Sequence, residues 1–444
     1  MTKSTLTPTG DEQEQATMYE QHSFVKNPLY ERWRIKIFLI TWLGYASYYL
    51  TRKAFPVAKL GLMDDTSINI SQQMMANIDA TYLISYAIGQ FVFGMLVDRF
   101  GSRTIILAGM LTSVVAAALM GASFGFAFFI GVMIIQGLAQ ATGWSAFCKN
   151  ISSFFSVNER GRVMGLWCSN FAVGSLVSTP FIAYIAYSVF DSWRVAFWTA
   201  AAALFVVWIL QVLFQRNSPG DISLPDINTY HGIDKDYTAE AEENSEGKLT
   251  FRQELKIITS DRTVMLLGLV YFLLKPARYA ILFWGPFIVY EHFQDAGKFA
   301  AATVPITFEI AGVLSPLVLG YISDKYLGSR RYKICIISLL GLSLSLFAFP
   351  IFLGTNSLLL VGVAFFFIGM MQFGPDAMLS STAAIETGSH NRAGTVLGFV
   401  NGAGSIGAIM GGIIPGYFNA NTAFTILAGA NLIAALLLIP MRKK

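Results

Sequence analysis

Three observations predict an all-α integral membrane fold of twelve transmembrane helices in two pseudo-symmetric six-helix bundles. The first is composition: 54% of the 444 residues are hydrophobic and 13% charged, whereas a water-facing domain carries about 25% charged residues. The second is the length of the apolar runs, which cluster near 20 residues. As helix, each run is long enough to cross about 30 Å of hydrocarbon, which favours helical spans over a barrel. The third is a duplication. Arg52 and Arg278 each lie inside an apolar segment, 16 residues after a cation (Lys36, Arg262) and 46 residues before an acidic-basic pair (Asp98-Arg99, Asp324-Lys325), so these landmarks share an offset of 226.

Taken in order, the apolar runs predict spans over 35–58, 78–97, 104–122, 124–148, 162–187, 193–214, 263–290, 301–323, 333–353, 357–386, 394–418 and 420–440. Residues 1–33 are polar and mixed in charge, so they form a tail and the first span itself targets the membrane. The polar interval 215–262, with Pro219-Gly220-Asp221 and an acidic run from Glu240 to Glu246, is the linker between two halves, 34–214 and 263–440, and 441–444 form a second tail. Lys and Arg collect in the short loops of one side, including Arg99, Arg103, Lys149, Arg160, Arg162, Lys325, Arg330, Lys333 and Arg392, while the other side has little beyond Lys59, Arg194 and Lys298. Both termini and the linker are therefore expected to be cytoplasmic. The net charge of +4 reflects this anchoring in the bilayer and implies no nucleic-acid partner. Cys148, Cys168 and Cys335 lack metal-ligand spacing and read as packing residues. The repeat extends to Gly137 and Gln140, which match Gly369 and Gln372 at an offset of 232, as Arg160 matches Arg392. A parallel duplication of this kind predicts two bundles with a site at their interface near mid-membrane.

Arg52 and Arg278 are the candidate anchors of that site. An arginine at a helix centre costs about 2.5–3.5 kcal/mol on insertion scales, and two of them facing one another suit a phosphate, whose oxygens accept bidentate, charge-assisted bonds from guanidinium forks. Tyr45 and Tyr49 precede Arg52 by seven and three residues on the same helical face. Lys275 precedes Arg278 by three, with Pro276 between them loosening the helix. Gln90, Gln140, Asn170, Gln372 and Asn401 are neutral candidates for substrate hydroxyls, with helix-to-helix hydrogen bonds as the alternative. Glu309 is expected to pair with Lys275 or Arg278 when substrate is absent, Asp376 to be a second partner or a coupling group, and Asp79 to be exposed near an outer helix end. Acids that hold an arginine only in the empty site give an exchange mechanism its switch. Asp98, Arg99, Arg103, Asp324, Lys325 and Arg330 are expected to gate one face through interhelical bonds and helix-end interactions. No G-x4-G-K-[ST] loop, no metal cluster and no nucleophile-base pair appears, which argues against ATP coupling, a metal or cofactor, and an enzyme.

The loop from Gly94 to Arg103 resembles the signature loop between helices two and three of the major facilitator superfamily. Tyr45-x3-Tyr49-x2-Arg52-Lys53, Gln140-x2-Gly143-Trp144, Glu159-Arg160-Gly161 and Arg278-Tyr279-x-Ile281-Leu282-x-Trp284 look like the organophosphate:inorganic-phosphate antiporter family, which includes glycerol-3-phosphate and hexose-6-phosphate transporters. The resemblance implies a secondary transporter exchanging an organophosphate for inorganic phosphate by alternating access; a monomer is expected, and the short loops and compact chain suggest a bacterial inner membrane, with an organelle as the alternative. It also implies that the family's two phosphate-holding arginines are Arg52 and Arg278, that Tyr45 and Tyr49 match family tyrosines, and that Glu309 matches a family glutamate. Three positions depart from the glycerol-3-phosphate member: Lys275 stands for a tyrosine, Gln90 for a lysine and Phe171 for a histidine. Lys275 thus replaces the lost helix-two cation from the opposite half, or adds charge for a more anionic substrate. The rival readings are a proton-coupled organic-anion symporter, with Glu309 or Asp376 as proton carrier, and a membrane sugar-phosphate sensor.

Overall fold

A computed structural model describes residues 27–231, 260–328, 331–386 and 393–441. Among them run twelve long helices: α1 Pro28–Leu62, α2 Gln72–Phe100, α3 Ser102–Gly121, α4 Phe126–Phe154, α5 Glu159–Val189, α6 Trp193–Phe214, α7 Arg262–His292, α8 Gln294–Tyr326, α9 Arg331–Leu353, α10 Leu358–Glu386, α11 Ala393–Tyr417 and α12 Ala420–Leu438. Eleven are long and apolar enough to cross a membrane. The remaining one, α1, has the length but is interrupted by Arg52, Lys53, Lys59 and its tyrosines. Several helices outrun the apolar stretches that signal them, and polar caps fix the starts of four: the Asn27 side chain accepts from the Leu29 N–H, Ser71 from Met74, Asp261 from Thr263 and Val264, and Asn419 from Thr422.

The duplication is visible in contacts. At the ends of α2 and α8 the chain turns through Gly101 (φ +80°) and Gly328 (φ +61°), conformations that favour glycine. A Cβ on Gly174 of α5 would lie 2.5 Å from the Ala46 carbonyl of α1, and one on Gly407 of α11 would lie 2.1 Å from the Phe272 carbonyl of α7. Ala46 and Phe272 are 226 residues apart. Likewise Gly137 of α4 abuts the Tyr82 carbonyl of α2 and Gly369 of α10 abuts the Phe308 carbonyl of α8, at 2.6 and 2.5 Å from an added Cβ, and 82 and 308 again differ by 226. Small residues let backbones approach where no hydrophobic drive exists between helices.

α1 and α7 pass through the middle and are buried almost all round over their C-terminal stretches, Gly44 to Leu62 and Ala280 to Tyr290. Toward the face on which α1 ends, here the distal face, the two halves are tied together. The Tyr290 hydroxyl donates to Asp64 Oδ2 at 3.0 Å and Lys298 pairs with the same oxygen at 2.8 Å. Gln72 Nε2 donates to the Pro415 carbonyl at 2.8 Å, and the Tyr417 hydroxyl to Asn77 at 3.0 Å. The α1–α2 loop is fixed to α6 by the Trp193 indole donating to Asp65 Oδ2 at 2.9 Å; this bond and two from Ser67 hold the Asp65 carboxyl below its usual range. The seam is close-packed at Gly416 of α11, where a Cβ would fall 2.2 Å from that of Ala76 on α2. Gly416→Ala is therefore expected to pry the distal seam open, an overpacking cost of about 1–3 kcal/mol, read as a longer distance between spin labels on the distal ends of α2 and α11.

On the opposite face the described start of the linker packs on the first half. Tyr230, in a short helix Ile227–Tyr230, stacks on Tyr30 of α1 with ring centroids 3.9 Å apart, and Arg34 of α1 is paired with Glu31 and Glu159.

Candidate functional site

α1 and α7 bring their arginines to the middle of the molecule, each against different company. Arg52 donates from Nε to Gln140 Oε1 of α4 at 2.9 Å and stacks over the rings of Tyr49 and Tyr86, 4.7 and 5.1 Å from their centroids. Gln140 is itself fixed: its Oε1 also accepts from the Tyr82 hydroxyl at 2.9 Å, and its Nε2 donates to Thr51 Oγ1 at 2.7 Å and to the Tyr48 carbonyl at 3.1 Å. In the other half Gln372 Nε2 donates to the Leu274 carbonyl at 3.2 Å, which is the same bond one repeat later, since 48 and 274 differ by 226. Arg278 does not follow Arg52 onto that glutamine. It pairs with Asp376 Oδ2, one turn along α10, at 2.6 Å, and lies over Phe373, 4.6 Å from the ring centroid.

One acid departs from its expected partners, and the other takes them. Glu309 holds neither Lys275 nor Arg278; it pairs across the halves with Lys53 of α1 at 3.1 Å. Asp376 instead takes both cations of α7, Lys275 on Oδ1 at 2.8 Å and Arg278 on Oδ2. The reason is azimuth: Lys275 and Arg278, three residues apart, share the face of α7 turned to α10, while Glu309 on α8 is turned to α1. Asp79 is likewise not exposed. It is buried and bonded to Lys59, also fully buried rather than in a loop, and Lys59 Nζ reaches across the seam to the Phe283 carbonyl at 3.0 Å and sits 3.7 Å over the Trp284 ring.

Tyr45 and Tyr49 are buried beside the arginine, but through their rings. Tyr45 packs edge-on against Tyr48, Tyr49, Trp144 and Phe147, with centroids 5.5 to 6.4 Å away, and among the described residues neither hydroxyl has a protein hydrogen bond. Gln90 is half-buried on α2, and among the described residues its side chain makes no hydrogen bond, to Arg52 or to any other group. Asn170 is fully buried, and among the described residues neither of its amide atoms has a hydrogen-bond partner. Of the loop residues, Asp98 pairs with Lys149 at 2.6 Å rather than with Arg99 or Arg103, Arg103 donates to the Val212 carbonyl at 2.7 Å, Arg99 lies over Phe100, and Lys325 donates to the Tyr321 hydroxyl at 2.8 Å. These four contacts stay within one half. Asp324 ends α8 and is exposed; Arg330 and Arg392 lie outside the described residues.

From sequence, Lys53 is given no role beyond its place in the motif, Tyr82 and Tyr86 do not enter, and Lys59 and Asp79 are not paired. The signal for Lys53 was available: the insertion cost that marks Arg52 applies equally to the cation beside it. Counted together, Arg52, Lys53, Lys275 and Arg278 face two carboxylates, Glu309 and Asp376, so this centre holds a surplus of two positive charges. Among the described residues no carboxylate comes within ion-pair distance of Arg52.

Two duplicated helical halves closed around a buried, cation-rich centre define the class: a secondary transporter for an anion. The comparisons agree. Residues 41–412 match the Major Facilitator Superfamily, and the chain belongs to that family. It is similar to the glycerol-3-phosphate transporter of Bacillus subtilis, 26% identical over 425 residues covering 92% of each chain. It is also similar to sugar phosphate exchanger 3 of Mus musculus, 26% identical with 85% of each chain covered. Among solved structures the nucleoside transporter NupG shares the fold, with a TM-score of 0.70 at 11% identity, covering 93% of this chain and 99% of that one.

Proposed function

We propose that this protein exchanges an organophosphate, such as glycerol 3-phosphate or a sugar phosphate, for inorganic phosphate by alternating access. The observation that carries the reading is the surplus of two positive charges around Arg52 and Arg278, which a phosphate dianion would neutralise. Relatives named for glycerol-3-phosphate transport and sugar phosphate exchange support the same substrate class. Arg52 and Arg278 hold the phosphate from opposite halves, Tyr45 and Tyr49 wall the site, and Gln140 orients Arg52. With the basic loops cytoplasmic, as in a bacterial inner membrane, the closed distal seam seals the outside and the site is reached from the cytoplasm, the linker 215–262 joining the two halves on that side. Filling the site discharges the repulsion between cations, so the loaded protein reorients more readily than the empty one, and transport is exchange.

Thermal unfolding of the detergent-solubilised protein tests the substrate class. A ligand at 100 times its Kd stabilises by about 2.7 kcal/mol. Phosphate, glycerol 3-phosphate and glucose 6-phosphate are expected to raise Tm, and glycerol and glucose to leave it unchanged. Stabilisation by the uncharged compounds alone would contradict an anion site.

A further inference from the structure

The two arginines are not equally available. Arg52 is held by a neutral glutamine and aromatic rings, so an anion approaching it displaces no charge. Arg278 is bound to a buried carboxylate, and if it were the sole counter-ion its departure would strand Asp376, whose side chain is only 9% exposed. Removing one partner from a buried charged pair weakens binding about 30-fold to several thousand-fold, much of it the penalty on the charge left behind. That penalty would be subtracted from the affinity of every substrate Arg278 engages.

Lys275 removes it. The two oxygens of Asp376 are divided between the two cations, Oδ1 to Lys275 at 2.8 Å and Oδ2 to Arg278 at 2.6 Å. Lys275 lies three residues before Arg278 on the same face of α7, steadied over the Tyr271 ring at 4.7 Å. We propose that Lys275 is a positioning residue: by holding Asp376 as a second counter-ion, it lets Arg278 swing to phosphate without leaving a buried carboxylate unpaired. The inference rests on the phosphate-exchange reading above. It differs from a direct role, in which Lys275 itself contacts a second anionic group of the substrate.

The two roles part in a compensation experiment. Lys275→Gln keeps Asp376 paired with Arg278, so the protein folds, but now the substrate must break an otherwise unreplaced bond. Phosphate affinity, measured by calorimetry on the full chain, is expected to fall about tenfold or more. Lys275→Gln/Asp376→Asn removes both the lysine and the carboxylate, leaving Arg278 free and the charge surplus unchanged at two, and is expected to return affinity to within about threefold of wild type, under 1 kcal/mol. Lys275→Arg is expected to behave as wild type. A double variant as weak as Lys275→Gln would overturn the inference and assign Lys275 a contact with substrate. Failure of the wild-type protein to bind phosphate at all would instead remove the exchange reading on which the inference stands.

Discussion

Arg52→Lys is expected to reduce phosphate exchange about 30-fold to several thousand-fold, and Arg278→Lys at least as far, with the proteins still folded. Lysine preserves the charge in each case, so the loss isolates the fork. Arg52 uses Nε to hold Gln140, an anchor that aims the rest of the guanidinium inward from a side chain already clamped between the Tyr49 and Tyr86 rings. An ammonium can make one of these commitments or the other, and its point charge does not match two phosphate oxygens at once. Losing a buried, charge-assisted contact costs about 2–5 kcal/mol, which sets the range of fold-changes given. At Arg278 lysine would also sit beside Lys275 and compete for Asp376, so both the fork and its release are damaged. Initial rates of exchange in proteoliposomes, with size-exclusion profiles as a check on folding, measure both variants.

Asp79→Asn is expected to open the distal face. Lys59 is wholly buried, and its charge is met by Asp79 within its own half and by the Phe283 carbonyl and Trp284 ring of the other. Taking away the carboxylate leaves a buried ammonium with dipoles and a ring only, a loss of about 3–5 kcal/mol for breaking such a pair. Opening the seam admits water to Lys59 and escapes most of that cost. Because the gap between transporter states is a few kcal/mol, the closed distal state becomes the minority. Lys59→Met should act the same way through the stranded Asp79. The pair replaced together, Lys59→Met/Asp79→Leu, is expected to close again, since apolar side chains of similar volume do as well as a buried ion pair. Distances between spin labels flanking the distal seam decide it: long in either single variant and short in the double. A double variant that stays open would mean that the bond from Lys59 to Phe283, not the charge balance, holds the seam.

The spans, their order and the equivalence of Arg52 and Arg278 in the repeat were legible because they depend on distance along a chain. Apolar run length sets a span, and an offset of 226 carries Arg52 to Arg278, just as it carries the Ala46 carbonyl to that of Phe272 and the Tyr48 carbonyl to that of Leu274. The partner of Glu309 was not legible, because pairing depends on how helices from different bundles are rotated about their axes. Glu309 and Asp376 both sit deep enough to meet Arg278, and only the facing of α8 toward α1 and α10 toward α7 sorts them. Asp79 and Lys59 were misplaced for another reason. Each lies at the edge of an apolar run, which reads as a loop boundary, yet α1 continues to Leu62 and α2 begins at Gln72, so the run ends are helix packed against the opposite half. The division of Asp376 between Lys275 and Arg278 breaks the repeat, whereas an exact duplication would hold the two arginines alike.

Exchange on a dianion site is tested by uptake of radiolabelled phosphate into proteoliposomes loaded with unlabelled phosphate, beside liposomes loaded with none. Uptake that requires internal phosphate, is competed by glycerol 3-phosphate or a sugar phosphate, and is lost in Arg52→Lys and Arg278→Lys is the predicted result. Phosphate uptake of equal rate into empty vesicles, driven by a pH gradient, would contradict exchange and favour a proton-coupled symporter.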